Sequence, residues 1–267
     1  MARALWGSVC ALSLLLITLT IAFHLVTRYD GYFADSFRPW RIQIVEALGV
    51  LGAPLLGALI VWRQPTNRYG WVWCVLGLAV AVSGAALAYE LWAWFVAPVK
   101  PLGFEAAWLG TVMYTLAFGL ATLVLVLFPD GRPPSPRWRP VVWATVVVCV
   151  VWTLSTAFAN GPMSVEHTPN PFAWLWRYEL AGWLAHELVW AVLLLLAVGA
   201  VSLVARLRQA RGRQRQQVKW LAYAAVLLTA ALVPVLTWYS MVLGRAVLIA
   251  IALWAVYVAI GLSLIHI

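Results

Sequence analysis

The stretch Arg206-Leu207-Arg208-Gln209-Ala210-Arg211-Gly212-Arg213-Gln214-Arg215-Gln216-Gln217-Val218-Lys219 holds six of the chain's eighteen Lys and Arg and no acidic residue. The apolar runs Leu184–Val204 and Trp220–Leu236 flank it. A short basic loop between two runs of bilayer length is the strongest orientation signal a membrane sequence carries. It assigns this loop to the cytoplasm, and every other segment is counted off from it.

Composition agrees. Over 267 residues the chain is 64% hydrophobic and 10% charged, against roughly 45–50% and about 25% in soluble domains. A soluble fold has nowhere to hide that much apolar surface, so the reading is a polytopic membrane protein. The net charge of +9 sits mostly in short loops and speaks for inside-positive topology, not for nucleic acid. Arg outnumbers Lys sixteen to two, a bias of GC-rich bacterial genomes, which points to a bacterial plasma membrane. Cys10, Cys74 and Cys149 all fall in apolar runs and read as small buried hydrophobes, with no disulfide or CxxC metal site indicated. The run from Leu5 to Val26 is long for a signal peptide and no A-x-A site follows, so it reads as an uncleaved first helix.

A span needs about 20 mostly apolar residues. Eight candidates appear, at 5–27, 42–62, 71–94, 106–128, 140–159, 181–205, 219–240 and 246–264. The expected fold is therefore an all-α transmembrane bundle in one integral membrane domain, with both termini cytoplasmic. Twelve Lys and Arg then fall inside and six outside, although Arg28, Arg38 and Arg41 crowd the first outer loop against the rule. Gly49, Gly52 and Gly57, with Ala53, would let the second span pack closely, and Pro234 should kink the seventh. Trp40, Trp62, Trp71, Trp73, Trp92, Trp94, Trp138, Trp183, Trp220 and Trp238 lie near span ends, as interfacial belts require. No internal repeat is visible, which leaves an inverted-repeat transporter without support.

Ionisable groups inside spans are costly enough to suggest function by default. Glu46, Glu90, His186, Glu187 and His24 all fall in the outer half of their spans. If the helices converge, these residues form a polar cluster facing outward, with Arg245 as a counter-charge. Three uses compete: snorkelling or helix-end pairing, a ligand- or proton-sensing pocket, and a metal site. No tight HxxxH-type spacing supports the last. Catalytic signatures such as GxxxxGK[ST], HExxH and GxSxG are missing from the sequence, so no catalytic residue and no cofactor is assigned to this chain.

Three inner-face stretches carry a resemblance. Pro65-Thr66-Asn67-Arg68-Tyr69-Gly70-Trp71 opens the third span. Leu127-Phe128-Pro129-Asp130-Gly131-Arg132, with Pro136-Arg137-Trp138-Arg139-Pro140, joins the fourth to the fifth. The basic stretch supplies Arg206-Leu207-Arg208-Gln209-Ala210-Arg211-Gly212, then Arg215-Gln216-Gln217-Val218-Lys219-Trp220-Leu221. In this order, each at an inner span end, they resemble the multi-span sensing region of bacterial two-component sensor histidine kinases. The resemblance singles out Asn67, Gly70, Trp71, Pro129, Asp130, Gly131, Arg132, Arg211, Arg215, Gln216 and Lys219. It also implies a homodimer and a cytoplasmic kinase core that uses ATP and Mg and passes phosphate to a response regulator. That core is absent from the sequence, and the ending Ser263–Ile267 reads as foreign to it, which suggests a truncated gene. The competing expectations are a free-standing membrane protein with a binding or scaffolding role and, after that, a small transporter.

Overall fold

A bilayer offers no water to backbone N–H and C=O groups, so apolar runs close their own hydrogen bonds as helices. The computed structural model describes residues 2–29, 32–33, 36–37, 40–97, 102–128, 131–160, 163, 168–173 and 179–209. Seven α-helices are described: α1 Ala2–Thr27, α2 Trp40–Val50, α3 Gly52–Arg63, α4 Arg68–Phe95, α5 Gly103–Leu127, α6 Arg139–Phe158 and α7 Glu179–Gln209. Between α1 and α2, the two-residue strands β1 (Tyr32–Phe33) and β2 (Ser36–Phe37) pair antiparallel. This hairpin, with a single β-bridge residue at Pro169, departs from the all-α expectation. Six helical segments there are long and apolar enough to cross a membrane, with α2 and α3 together counting as one. They coincide with the first six expected spans to within a few residues. The expected spans 219–240 and 246–264, with Pro234 and Arg245, lie outside the described residues.

The second span is broken where its sequence breaks it. Pro54 has no N–H to return to Val50, and Leu51 N–H reaches Leu48 O at 3.3 Å instead of continuing the regular ladder. This break between α2 and α3 sits beside the small residues that were expected to allow close packing. A Cβ on Gly57 would come within 2.7 Å of Cys74 N, and one on Gly77 within 2.7 Å of Pro54 N. Without a hydrophobic drive between helices in lipid, such backbone approach is what creates the contact surface. Gly110 against Leu87 and Gly119 against Cys149 repeat the device at the α4–α5 and α5–α6 seams. Ser83 Oγ adds a hydrogen bond to Gly110 O at 2.8 Å.

Helix α4 is the centre, packed against α1, α3 and α5, while α7 packs on α5 and α6. One core cluster runs through Leu56, Ile60, Trp73, Leu76, Val124 and Phe128. Trp73 therefore departs from the belt expectation. At 100° per residue it points nearly opposite to Trp71, and it is 3% exposed where Trp62 is 68% exposed. Because successive spans reverse direction, the α3–α4 turn, the α5–α6 turn and the C-terminal end of α7 share one end of the bundle. That end carries Arg63, Arg68, Arg132, Arg137, Arg139, Arg206 and Arg208 and is called the basic face here. Glu46, Glu90, Glu105 and Glu187 lie in the opposite half, toward the far face.

Candidate functional site

On the basic face, each turn is shaped by its own residues before any of them meet. Asn67 caps α4: its Oδ1 accepts Tyr69 N–H at 2.9 Å, and its Nδ2 donates to Gln64 Oε1 at 3.0 Å. Gly70 lets α4 start directly against the end of α3, since a Cβ there would lie 2.8 Å from Ile60 Cγ2. Gly131 ends α5 in the left-handed region, at φ +69°, and its N–H bonds Leu127 O at 2.8 Å. A Cβ on Gly131 would come within 2.9 Å of Tyr69 N. The two turns are thus in contact, and Tyr69 is locked beneath them, fully buried, with its ring 5.7 Å from Phe128 and 6.3 Å from Trp73.

The third stretch joins through Arg206. One of its guanidinium nitrogens donates to Val126 O at 3.2 Å and also to Arg132 O. These carbonyls belong to the C-terminal end of α5 and the turn after it, where the helix dipole favours a cation. One turn earlier, Ser202 is buried and its Oγ donates to Gly199 O at 2.6 Å, close to Leu125 O. The structure therefore gathers Asn67, Gly70, Gly131 and Arg132 into one knot. Trp71 instead faces α1 and meets Trp6 edge-on at 4.4 Å. Pro129, Asp130, Arg211, Arg215, Gln216 and Lys219 lie outside the described residues. Tyr69 and Arg206, the buried centre and the clamp, stood inside the quoted stretches but were not singled out. The signal for Tyr69 was its position between a capping Asn and a close-packing Gly.

On the far face, the expected cluster is spread over three places. Glu90 is fully buried on α4, and Thr168 Oγ1 donates to its Oε1 at 2.9 Å. His24 is buried on α1, and its Nδ1 has no hydrogen-bond partner among the described residues. Glu46 is half-buried on α2, while His186 and Glu187 are exposed on α7. Helix α5 stands between the central α4 and α7, which is why His186 and Glu187 do not turn toward Glu90. Among the described residues no three His, Cys, Asp or Glu side chains come together as a metal site would require.

What the charged residues do not build, neutral ones do. Asn170 is buried, and its Nδ2 donates to Ala157 O and Ala159 O, both at 2.9 Å, while its Oδ1 accepts Phe172 N–H. Trp108 Nε1 also reaches Ala157 O, at 2.8 Å, and its ring meets Phe172 at 4.7 Å. The loop after α6 is thereby tied down over the ends of α5 and α6. Beside it, an open cleft of about 310 Å³ lies between α5, α6 and α7, lined by Thr111, Thr156, Asn160, Met163, Ala185 and His186. No family model, curated protein or solved structure matches this chain.

Proposed function

We propose that this chain is the membrane-embedded input region of a bacterial two-component sensor histidine kinase, with the basic face in the cytoplasm. The observation that supports the reading most is the knot. Three stretches, far apart in sequence and chosen by their resemblance to that family, supply Asn67, Gly70, Gly131, Arg132 and Arg206 to one packed junction. In this reading the junction is the output end. Helices α5 and α7 both run from the far-face cleft, at Thr111 and His186, to the knot, at Val126 and Arg206. Those intervals span ~22 and ~30 Å at the rise of an α-helix. A stimulus that shifts α5 against α7 then strains the Arg206 contacts directly. The response passes along the basic stretch to a kinase core, within a homodimer. That core would bind ATP and Mg and phosphorylate a response regulator.

The test is to read the source locus through and beyond codon 262, then to assay the encoded protein in native membranes for phosphorylation from ATP. The reading requires an in-frame phosphoacceptor His and ATP-binding domain, with phosphorylation altered in Arg206→Ala. A frame that closes at codon 267, with no kinase encoded to act on, overturns it. The second reading, a free-standing binding protein, is favoured by the far-face cleft and would then take its place.

A further inference from the structure

We propose that the far-face cleft between α5, α6 and α7 binds a small neutral amphiphile, an alcohol, phenol or ketone on a short apolar body. Its volume of about 310 Å³ is at the small end of the range for ligand sites. At the helix seams neighbours fill the Cβ positions of Gly77 and Gly119, whereas at Gly182, in the cleft wall, the nearest neighbour is Asn160 O at 3.9 Å, so a side chain there would meet no clash. Ala159 and Ala185 beside it are also too short to fill the cleft.

The lining chemistry selects the ligand. It offers the hydroxyls of Thr111 and Thr156 and the His186 imidazole, with no carboxylate, guanidinium or ammonium among the described lining residues. An ion taken into so apolar a site would lack a counter-charge, at a large desolvation cost. A neutral head needing only one or two hydrogen bonds carries no such cost. Thr111 already donates its proton to Ala107 O at 2.8 Å, so its oxygen remains able to accept. Two wall carbonyls are held in place by side chains: Ala185 O accepts Trp152 Nε1 and Ala159 O accepts Asn170 Nδ2, both at 2.9 Å. The polar side chains of the wall thus stand on a rigid frame.

The cleft is also wired to the buried carboxyl group. Met163, a lining residue, donates its N–H to Thr168 O at 2.9 Å, and Thr168 Oγ1 is the donor to Glu90. An occupant that displaces Met163 pulls on the hydrogen bond to Glu90.

Binding is tested without any kinase readout, so this proposal and the functional reading fail separately. The full chain in proteoliposomes is photolabelled with a diazirine-bearing octanol, and labelled peptides are identified by mass spectrometry. Saturable labelling is expected at Met163 and the first turns of α7. Octanol should compete about tenfold better than octane, the preference that about one good hydrogen bond confers. Ala185→Trp, which fills the cleft, should abolish the saturable labelling. A second variant, Thr111→Val with Thr156→Val, keeps the shape, and in it the preference for octanol over octane should fall away. Non-saturable labelling spread over the outward-facing Trp190 and Leu194 overturns the proposal. So does saturable labelling that persists unchanged in both variants.

Discussion

The two ends of this bundle are closed by different means. On the basic face the hydrogen bonds are local caps, Tyr69 N–H to Asn67 and Gly131 N–H to Leu127, and the two capped turns then meet by steric contact. On the far face the decisive contacts are hydrogen bonds between residues far apart in the chain. Thr168 reaches Glu90 across 78 positions and Trp108 reaches Ala157 across 49. A closure built from shape tolerates almost no added atoms. One built from hydrogen bonds tolerates a change of shape but not the loss of a donor. Substitutions that add bulk and substitutions that remove a donor should therefore separate the two ends.

The largest effect is expected from bulk on the basic face. Gly131→Val places a β-branched side chain at φ +69°, where an L-residue is strained by roughly 1–2 kcal/mol, and drives its Cβ into Tyr69 N. A total loss of about 3 kcal/mol is expected, measured by reversible unfolding in mild detergent. Protease resistance of the 160–173 loop should survive until the whole bundle melts. Selective loss of that loop's protection, with the basic face intact, would reverse the comparison.

Next comes removal of the far-face donor with the most partners. Asn170→Ala strands Ala159 O and the Phe172 N–H, while Ala157 O keeps its bond from Trp108 Nε1. About 2 kcal/mol is expected from groups left unsatisfied, confined to the loop. Limited proteolysis should show cleavage within 160–173 rising well before global unfolding. Cleavage that stays at the native rate would mean the loop is held by Trp108 and Phe172 alone.

This contrast also explains what was legible beforehand. Helix positions follow from runs of apolar residues, a property of the local sequence, so α1 and α4 to α7 and the broken α2–α3 span could be located directly. The basic-face turns were legible for the same reason, since Asn67 with Gly70, and Gly131 with Arg132, form short patterns. The far-face site was only half legible. Glu90 and His186 stand out as ionisable residues in apolar runs, but nothing local says that α5 will separate them. Thr168 and Asn170 look like ordinary loop residues. Their partners are set by how α4, α5 and α6 end in space, which no periodicity encodes. Trp73 failed as a belt residue because nearness to a helix end says nothing about which way a side chain turns.

Arg206 sharpens the comparison, because it is a long-range donor on a face whose capping hydrogen bonds, at Asn67 and Gly131, are local. Arg206→Ala should cost about 1.5 kcal/mol, from hydrogen bonds made by a charged group at a helix C-terminus. Arg206→Lys keeps the charge but loses the guanidinium reach that lets one terminal nitrogen serve both Val126 O and Arg132 O. It should recover less than half of the stability lost in the alanine variant. Equal stability of the lysine variant and the native chain would show that charge alone, not the guanidinium geometry, holds α7 to α5.

The smallest effect is expected at Thr168. Thr168→Val preserves size and branching and removes only the hydroxyl that donates to Glu90. Hydrogen bonds between segments of membrane proteins contribute about 0.6 kcal/mol on average, so global unfolding should move by less than about 1 kcal/mol. Local opening should be more sensitive. Amide exchange at Met163, whose N–H bonds Thr168 O, should quicken by a few-fold, while exchange at Gly131 on the basic face should stay unchanged. Pairing the substitution with Glu90→Gln decides what the contact is worth. If the double variant loses no more than Thr168→Val alone, the two side chains act as one unit, and the far face is closed by that hydrogen bond. If the losses simply add, Glu90 is held by its other neighbours, and the Asn170 anchor carries the far face by itself.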